Sequence, residues 1–113
     1  MTTSPADFLP GALEGVRVIE FAQAMAIPAC GLLLADMGAD VIKIEPPGGD
    51  AFRHTQDAVL PGESKGYTVL NRGKRTICLD ITSPDAWPVI ERLVRGADIV
   101  LMSLKPNDLP RYN

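Results

Sequence analysis

Apolar residues along this chain fall into short, nearly continuous runs separated by glycine, proline and charged residues. Runs of this kind are typical of strands in a parallel sheet, where both faces of each strand are covered. Those that are rich in β-branched residues and bounded by turn-forming residues favour the extended conformation. The predicted strands are residues 16–20, 41–45, 76–80 and 97–102.

The apolar run between the first two strands predicts a short helix over residues 29–37. Pro28 suits the first turn of that helix, because a proline there loses no hydrogen bond. Gly31 weakens a helix relative to alanine, so we expect its backbone to pack closely against a neighbour. Gly38 is expected to end the helix in a left-handed conformation.

A second helix is predicted between the third and fourth strands, ending at Gly96 and capped by Ser83 or Asp85. Pro88 favours Asp85, because a cap at that residue puts the proline in the first turn, where its missing N–H costs no hydrogen bond. Trp87 is expected to anchor this helix to the core.

The elements alternate as β-α-β-loop-β-α-β, which predicts an α/β fold with a Rossmann-like, mostly parallel sheet and right-handed crossovers. Residues 1–14 are interpreted as a flexible lead-in and residues 15–113 as a single domain. Residues 46–70 predict a long loop that is functional, mobile or covered by a partner. Because an exposed edge strand invites pairing, we expect the isolated chain to self-associate or to be partly unfolded.

The formal net charge of −3 argues against a general nucleic-acid binder. No apolar run approaches the ~18 residues of a membrane-spanning helix, and the N-terminus lacks the order of a signal peptide, so a cytoplasmic protein is expected. Cys30 and Cys78 have no metal-binding spacing and are predicted to be buried, reduced thiols. No metal site is predicted.

The turn after the first strand, residues 21–28, lacks the glycines of a GxGxxG cradle, which argues against half of an NAD-binding dehydrogenase. Its small residues Ala22, Ala24 and Ala26 still allow a flat ligand to approach the backbone N–H groups at the helix start. Ligand binding and an ordinary β–α connection therefore stay equally open. Glu45 ends the second strand, either as a charged strand end or as an acceptor for ribose hydroxyls.

Residues 71–75 form a basic turn just before the third strand. Such a run is usually solvated, but Arg75 could instead contact a phosphate through its bidentate guanidinium. His54 is the only histidine and lies in the polar loop. It is predicted to be solvated rather than catalytic.

Residues 13–30, 34–50, 71–84 and 97–109 together resemble the family III CoA-transferases, which include formyl-CoA and carnitine CoA-transferases and α-methylacyl-CoA racemase. The specific part is the sequence GADVIKIEPPGGD, followed by N-x-x-K-R and a strand that ends in L-D. The resemblance implies a Rossmann-like N-terminal segment that binds coenzyme A, as acyl-CoA substrate or product. It also implies an interlocked homodimer, and neither nucleic acid nor a membrane as partner.

The CoA-contacting positions implied by this resemblance fall at the ends of the predicted strands, where an open α/β sheet binds ligands. They are Met25, Ala26, Pro46, Leu79, Asp80, Ile81, Thr82, Ser103, Leu104, Lys105 and Arg111. Arg75 is added as a candidate phosphate contact because of its charge.

The chain departs from the family's pattern in two places that bear on this site. Ile27 stands where the family has glycine before Pro28, and because a β-branched residue does not readily take a positive φ, we expect a reshaped turn. Residues 102–107 replace the usual E-N-F-R-P-G sequence, which affects the implied contacts at Ser103 and Leu104.

The activity that the resemblance implies is transfer of CoA between an acyl-CoA and a carboxylic acid. In the family an aspartate attacks the thioester to give a mixed anhydride, and that aspartate lies beyond the residues matched here. No catalytic residue is therefore predicted in this chain, and we expect the chain alone to be inactive. The alternatives are a segment of an acyl-CoA racemase, or a degenerate nucleotide-binding fragment that depends on a partner such as a missing C-terminal half.

Overall fold

A computed structural model of the chain describes residues 10–55 and 57–107. Its helices and strands follow one another as β1 (Arg17–Phe21), α1 (Ala26–Asp36), β2 (Asp40–Glu45), β3 (Ala58–Leu60), β4 (Glu63–Ser64), α2 (Lys65–Asn71), β5 (Arg75–Cys78), α3 (Trp87–Arg95) and β6 (Ile99–Met102). The main sheet has the order β5-β2-β1-β6, and every pair in it is parallel. The α/β, Rossmann-like prediction is confirmed.

Side chains of the two central strands alternate between two faces of the sheet. Val18 and Val41 pack with Leu34 of α1, so we call that side the α1 face. Ile19 and Ile42 pack with Leu93 of α3 on the opposite side, which we call the α3 face. Because β1 and β2 are central, most of their apolar side chains are buried on one face or the other and form the core: Val18, Ile19, Val41, Ile42 and Ile44.

Helix α1 begins three residues earlier than predicted, so that Pro28 lies in its first turn as expected. Gly38 follows the helix with a φ of 101°, which confirms the left-handed ending. A Cβ atom at Gly31 would stand 2.0 Å from Glu20 Oε1, so the absence of a side chain there lets α1 lie directly on a buried carboxylate.

The prediction of a long loop over residues 46–70 is wrong. That stretch contains a single-turn 3-10 helix (Ala51–His54), the β3–β4 hairpin and most of α2. Two local caps hold it, because Asp50 accepts a hydrogen bond from the Phe52 N–H and Ser64 accepts one from the Tyr67 N–H. Short elements with strong caps lack the long apolar period that marks a helix in a sequence.

The start of α3 also differs from the prediction. Ser83, not Asp85, provides a cap, and it caps a 3-10 turn (Pro84–Ala86) that precedes the helix. Pro88 lies in the first turn of α3, as its missing N–H requires. Trp87 is 53% exposed, so the prediction that it anchors the helix to the core is wrong.

Both cysteines are exposed, which corrects the prediction that they are buried. Cys30 lies on α1, whose buried residues are Pro28, Gly31 and Leu32, and Cys78 lies on β5, a strand at the edge of the sheet. Within residues 10–55 and 57–107, no helix is both long and apolar enough to cross a membrane.

Candidate functional site

A pocket of about 330 Å³ opens at the carboxyl ends of the parallel strands. Open α/β sheets bind their ligands at this edge. Its lining residues come from the ends of all four strands and from the segments that follow them: Phe21, Ala22, Gln23, Ile44, Pro46, Leu79, Asp80, Ile81, Thr82, Ser103, Leu104 and Lys105.

Most of the site residues predicted from the sequence meet around this one pocket. Those that line it are Pro46, Leu79, Asp80, Ile81, Thr82, Ser103, Leu104 and Lys105. Met25 and Ala26 are exposed at the start of α1, close in sequence to the lining residue Gln23 but outside the lining itself. Arg111 lies outside the described residues.

Arg75 lies at the other edge of the sheet. It is the first residue of β5, whereas the pocket forms at the carboxyl end of that strand. Its guanidinium donates to both carboxylate oxygens of Asp40, with distances of 2.9 and 2.6 Å. The same hydrogen bonds and charge hold the pKa of Asp40 below its ordinary value.

The pocket combines apolar walls with a few polar groups. Phe21, Ile44 and Ile81 are among its apolar residues, and the only cation among its lining residues is Lys105. Asp80 is the only carboxylate among them. Its Oδ1 accepts hydrogen bonds from the N–H and the hydroxyl of Thr82, at 3.0 and 2.6 Å, and these lower the pKa of Asp80. Asp80 is therefore ionised at neutral pH, with one oxygen occupied by its own loop.

The turn between β1 and α1 contains no positive φ at Ile27, which lies inside α1, as its β-branched side chain requires. That the turn differs in shape from the family's stays a prediction. The left-handed residue is instead Ala24, with a φ of 64°. Alanine adopts this conformation at a smaller energetic cost than a β-branched residue would.

A cluster of charged side chains lies buried on the α1 face, close behind this turn. Lys43 Nζ lies 3.0 Å from Glu20 Oε2 and 2.8 Å from Asp50 Oδ2, and it donates to the Ala22 carbonyl at 2.7 Å. The Lys43, Glu20 and Asp50 side chains are fully buried. A charge buried this deeply persists only with partners of opposite charge, which each member of this cluster has.

Lys74 completes the cluster, so the basic turn over residues 71–75 is exposed at Arg72 and Arg75, as predicted, but buried at Lys74. Its ammonium donates to both Glu20 oxygens at 2.9 and 3.2 Å, to the Pro28 carbonyl at 2.8 Å and to Asn71 Oδ1 at 3.0 Å. Burial lowers the pKa of Lys74, and Glu20 offsets part of that change. Arg72, from the same run, pairs with Asp36.

Glu45 is neither a solvated strand end nor free for a ribose. It accepts two hydrogen bonds from Arg53, at 2.8 and 2.9 Å, one from the Tyr67 hydroxyl and one from the Asp50 N–H. Burial acts to raise the pKa of Glu45, but these hydrogen bonds outweigh it and hold the pKa below the ordinary value.

Sequence reasoning missed several residues that shape the site, among them Gln23, Lys43 and Asp50. One signal was available for Lys43, because a lysine in the middle of the apolar run 41–45 must find a buried partner if the strand is central. No comparable signal marks Gln23, whose side-chain oxygen accepts from the Ala51 N–H across two separate loops.

Comparison with known proteins gives consistent matches. The sequence model described as CoA-transferase family III matches residues 13–113. A succinate–glutarate CoA-transferase from Agrobacterium fabrum is 44% identical over 88% of this chain, and a succinyl-CoA:mesaconate CoA-transferase from Haloarcula hispanica is 38% identical over 91%. The chain spans only 27% of the length of each of these relatives.

The fold matches solved structures as well. The crystal structure of a CAIB/BAIF family protein from Brucella suis superposes with a TM-score of 0.85 and is 35% identical in sequence. The match covers 92% of this chain and 29% of that one.

Proposed function

Because this chain belongs to the CoA-transferase family III, we propose that it binds coenzyme A, as acyl-CoA substrate or free product, in the pocket at the carboxyl edge of its sheet. The observation that carries this proposal is spatial. Positions that the family resemblance assigns to CoA, although scattered over three separate segments of the sequence, line one pocket.

The pocket offers the chemistry that a CoA molecule needs. Its apolar walls, including Ile44, Ile81 and Leu104, suit the purine ring or the pantetheine arm, since ligand sites are mostly apolar with a few polar groups that fix orientation. Lys105 supplies a positive charge for a phosphate, and Ser103 and Thr82 supply hydroxyls. The altered residues 102–107 therefore still provide polar contacts at this site.

The proposed reaction is transfer of CoA from an acyl-CoA to a carboxylic acid. We propose that none of the three carboxylates near the pocket attacks the acyl-CoA thioester. Glu45 and Asp50 are held in buried ion pairs, and Asp80 has one oxygen bonded to Thr82. We propose that the attacking carboxylate comes from outside these 113 residues and that this chain supplies CoA binding.

A second copy of the chain is the proposed partner. Several apolar side chains are left exposed on and near the α3 face, including Trp87, Val100 and Met102. Contact with another copy would remove this apolar surface from water. The family resemblance implies a homodimer, and the exposed side chains support it.

Isothermal titration calorimetry with CoA tests the binding proposal directly. We expect saturable binding by the 113-residue chain and about a tenfold loss of affinity in Lys105→Ala, which corresponds to about 1.4 kcal/mol. Arg95→Ala is the matched control, because Arg95 is an exposed cation on α3 that pairs only with Glu91 among the described residues. Absence of heat with CoA, or equal losses in both variants, would overturn the proposal.

An acyl-transfer assay completes the test. With acyl-CoA and a free carboxylic acid as substrates, we expect no turnover by the 113-residue chain even where CoA binds. Clear turnover would show that a carboxylate within this chain is the nucleophile.

A further inference from the structure

The turn that borders the pocket is held in a conformation of high energy. Ala24 is the only non-glycine among the described residues with a positive φ, at 64°. L-amino acids other than glycine adopt this region at a cost, and such residues persist only where surrounding contacts overdetermine them. Some other part of the molecule must therefore hold the turn.

The holding contacts all come from β2 and the segment that follows it. Asp50 Oδ1 accepts a hydrogen bond from the Ala24 N–H at 3.1 Å. On either side of Ala24, Lys43 donates to the Ala22 carbonyl at 2.7 Å and the Ala51 N–H donates to Gln23 Oε1 at 3.0 Å. Three successive residues of the turn are thus fixed from outside it.

Asp50 is itself fixed on every side. Its N–H donates to Glu45 Oε2 at 3.0 Å, and its Oδ1 accepts a second hydrogen bond from the Phe52 N–H at 2.9 Å. Its Oδ2 lies 2.8 Å from Lys43 Nζ, as an ion pair without hydrogen-bond geometry. Since Asp50 is fully buried, a ligand in the pocket has no access to its side chain.

We infer that Asp50 is a positioning residue, which holds Ala24 in its left-handed conformation so that Phe21, Ala22 and Gln23 keep their places at the pocket. The inference rests on the proposed CoA binding. Asp50 itself does not contact CoA in this proposal. It fixes the conformation of the turn whose residues line the CoA pocket. A residue that merely stabilised the fold would change the melting temperature without changing the affinity of the folded protein.

Calorimetry on Asp50→Ala, with and without Ala24→Gly, separates the two roles. Removal of the acceptor frees Ala24 to leave the left-handed region, so we expect CoA affinity to fall by about tenfold, within the range that the cost of this conformation implies. Glycine adopts a positive φ without that cost. The double variant is therefore expected to recover several-fold of the lost affinity.

Two further variants serve as matched controls. Asp57→Ala removes an acid whose side chain is 89% exposed, and we expect no change in CoA affinity. Asp50→Asn keeps an oxygen for the Ala24 N–H, so it should bind CoA better than Asp50→Ala. It is also the smaller change in shape, and it takes the place of Asp50→Ala in the comparison if that variant unfolds.

A measurement without ligand keeps the inference separate from the proposed function. In NMR spectra, the Ala24 amide and Hα protons give a strong intraresidue nuclear Overhauser effect when φ is positive, and this signal should weaken in Asp50→Ala. If the wild-type chain shows that signal but binds no CoA, the proposed function fails while the turn is still held. If Asp50→Ala binds CoA as tightly as wild type, or Ala24→Gly rescues nothing, the positioning role is refuted.

Discussion

One face of the central sheet buries charged side chains and the other buries apolar ones. The two faces also differ in how far the side chains of β6 are exposed. On the α1 face, Glu20, Lys43 and Glu45 are charged and at most 4% exposed. On the α3 face, Ile19 and Ile42 are buried, but Val100 and Met102 of β6 remain 39% and 47% exposed. At β6 the α1 face is thus the better covered of the two, since Ile99 and Leu101 there are only partly exposed. At β5 the α1-face residues Thr76 and Cys78 are exposed.

This difference follows from what each kind of burial requires. A buried ion pair is stable only when every charge has a partner and water is kept out of the pair, so α1, α2 and the segment after β2 must close over it. An apolar face needs no directed partners and can be completed by any apolar surface. The α3 face is consequently the one suited to contact with another copy.

Removal of one charge on the α1 face should produce the largest effect. Lys43→Met takes from Asp50 its only ion-pair partner among the described residues and leaves a buried, uncompensated carboxylate. We expect a loss of about 3–5 kcal/mol in the free energy of unfolding, as measured by urea denaturation. Arg95→Met is the control and should cost less than about 1 kcal/mol, because its pair with Glu91 is exposed. A loss of similar size in both variants would contradict the view of the α1 face as a closed charge network.

On the α3 face, shortening an apolar side chain should lower the free energy of unfolding by an amount that depends on how deeply that side chain is buried. Ile19→Ala removes fully buried apolar volume and should cost about 3 kcal/mol. Val100 lies directly opposite Ile19 in the β1–β6 register but is 39% exposed, so Val100→Ala should cost about 1 kcal/mol or less. Equal costs in urea denaturation would mean that the isolated chain already covers its α3 face in solution.

Acid should weaken the α1 face through Glu45. Because the folded-state pKa of Glu45 is below the ordinary value of 4.5, the unfolded chain binds more protons in that range. The stabilisation is therefore complete above pH 4.5 and is lost as pH falls through the folded-state pKa. Tyr67→Phe deletes one hydrogen bond to Glu45. We expect it to cost about 1–2 kcal/mol at neutral pH and to reduce the further loss as pH falls through the folded-state pKa of Glu45. An unchanged pH dependence in this variant would show that the tyrosine hydroxyl does not act through Glu45.

A substitution on the exposed part of the α3 face should change the free energy of unfolding least. Its main effect should be on self-association of the chain. Val100→Lys should shift sedimentation velocity profiles towards the monomer, because a lysine there opposes apolar contact and strand pairing at the sheet edge. Val59→Lys is the control, since Val59 is 51% exposed on the separate β3–β4 hairpin. A monomeric wild-type chain at all concentrations would exclude association through this face.

Much of the fold could be predicted from local pattern, and the reason is visible in the central strands. In β2, Val41, Ile42 and Ile44 are apolar and β-branched, with only Lys43 between them before Glu45 ends the strand. Such short apolar segments favour a buried parallel strand without any knowledge of its neighbours. The β3–β4 hairpin and α2 could not be predicted in this way. Each is short, and α2 contains Gly66 and depends on the Ser64 cap rather than on an apolar stripe.

Part of the site was predictable for a topological reason. Pro46, Leu79 and Ser103 follow different strands, and the carboxyl ends of parallel strands meet at one edge, so they come together. The same rule places Arg75 elsewhere, because it begins the strand that Leu79 follows. The pairing of Lys74 with Glu20 spans 54 residues and follows from no local pattern.

We expect Lys74 to couple the local opening of α2 to that of α1. Its ammonium connects the turn after α2 to a carboxylate of β1 and to a backbone carbonyl of α1. Local unfolding of α2 would therefore separate the Lys74 ammonium from Glu20 and expose the side of α1 that packs on the sheet. The two helices should exchange their amide protons as one cooperative unit, more slowly than α3, which contributes no charge to the buried cluster.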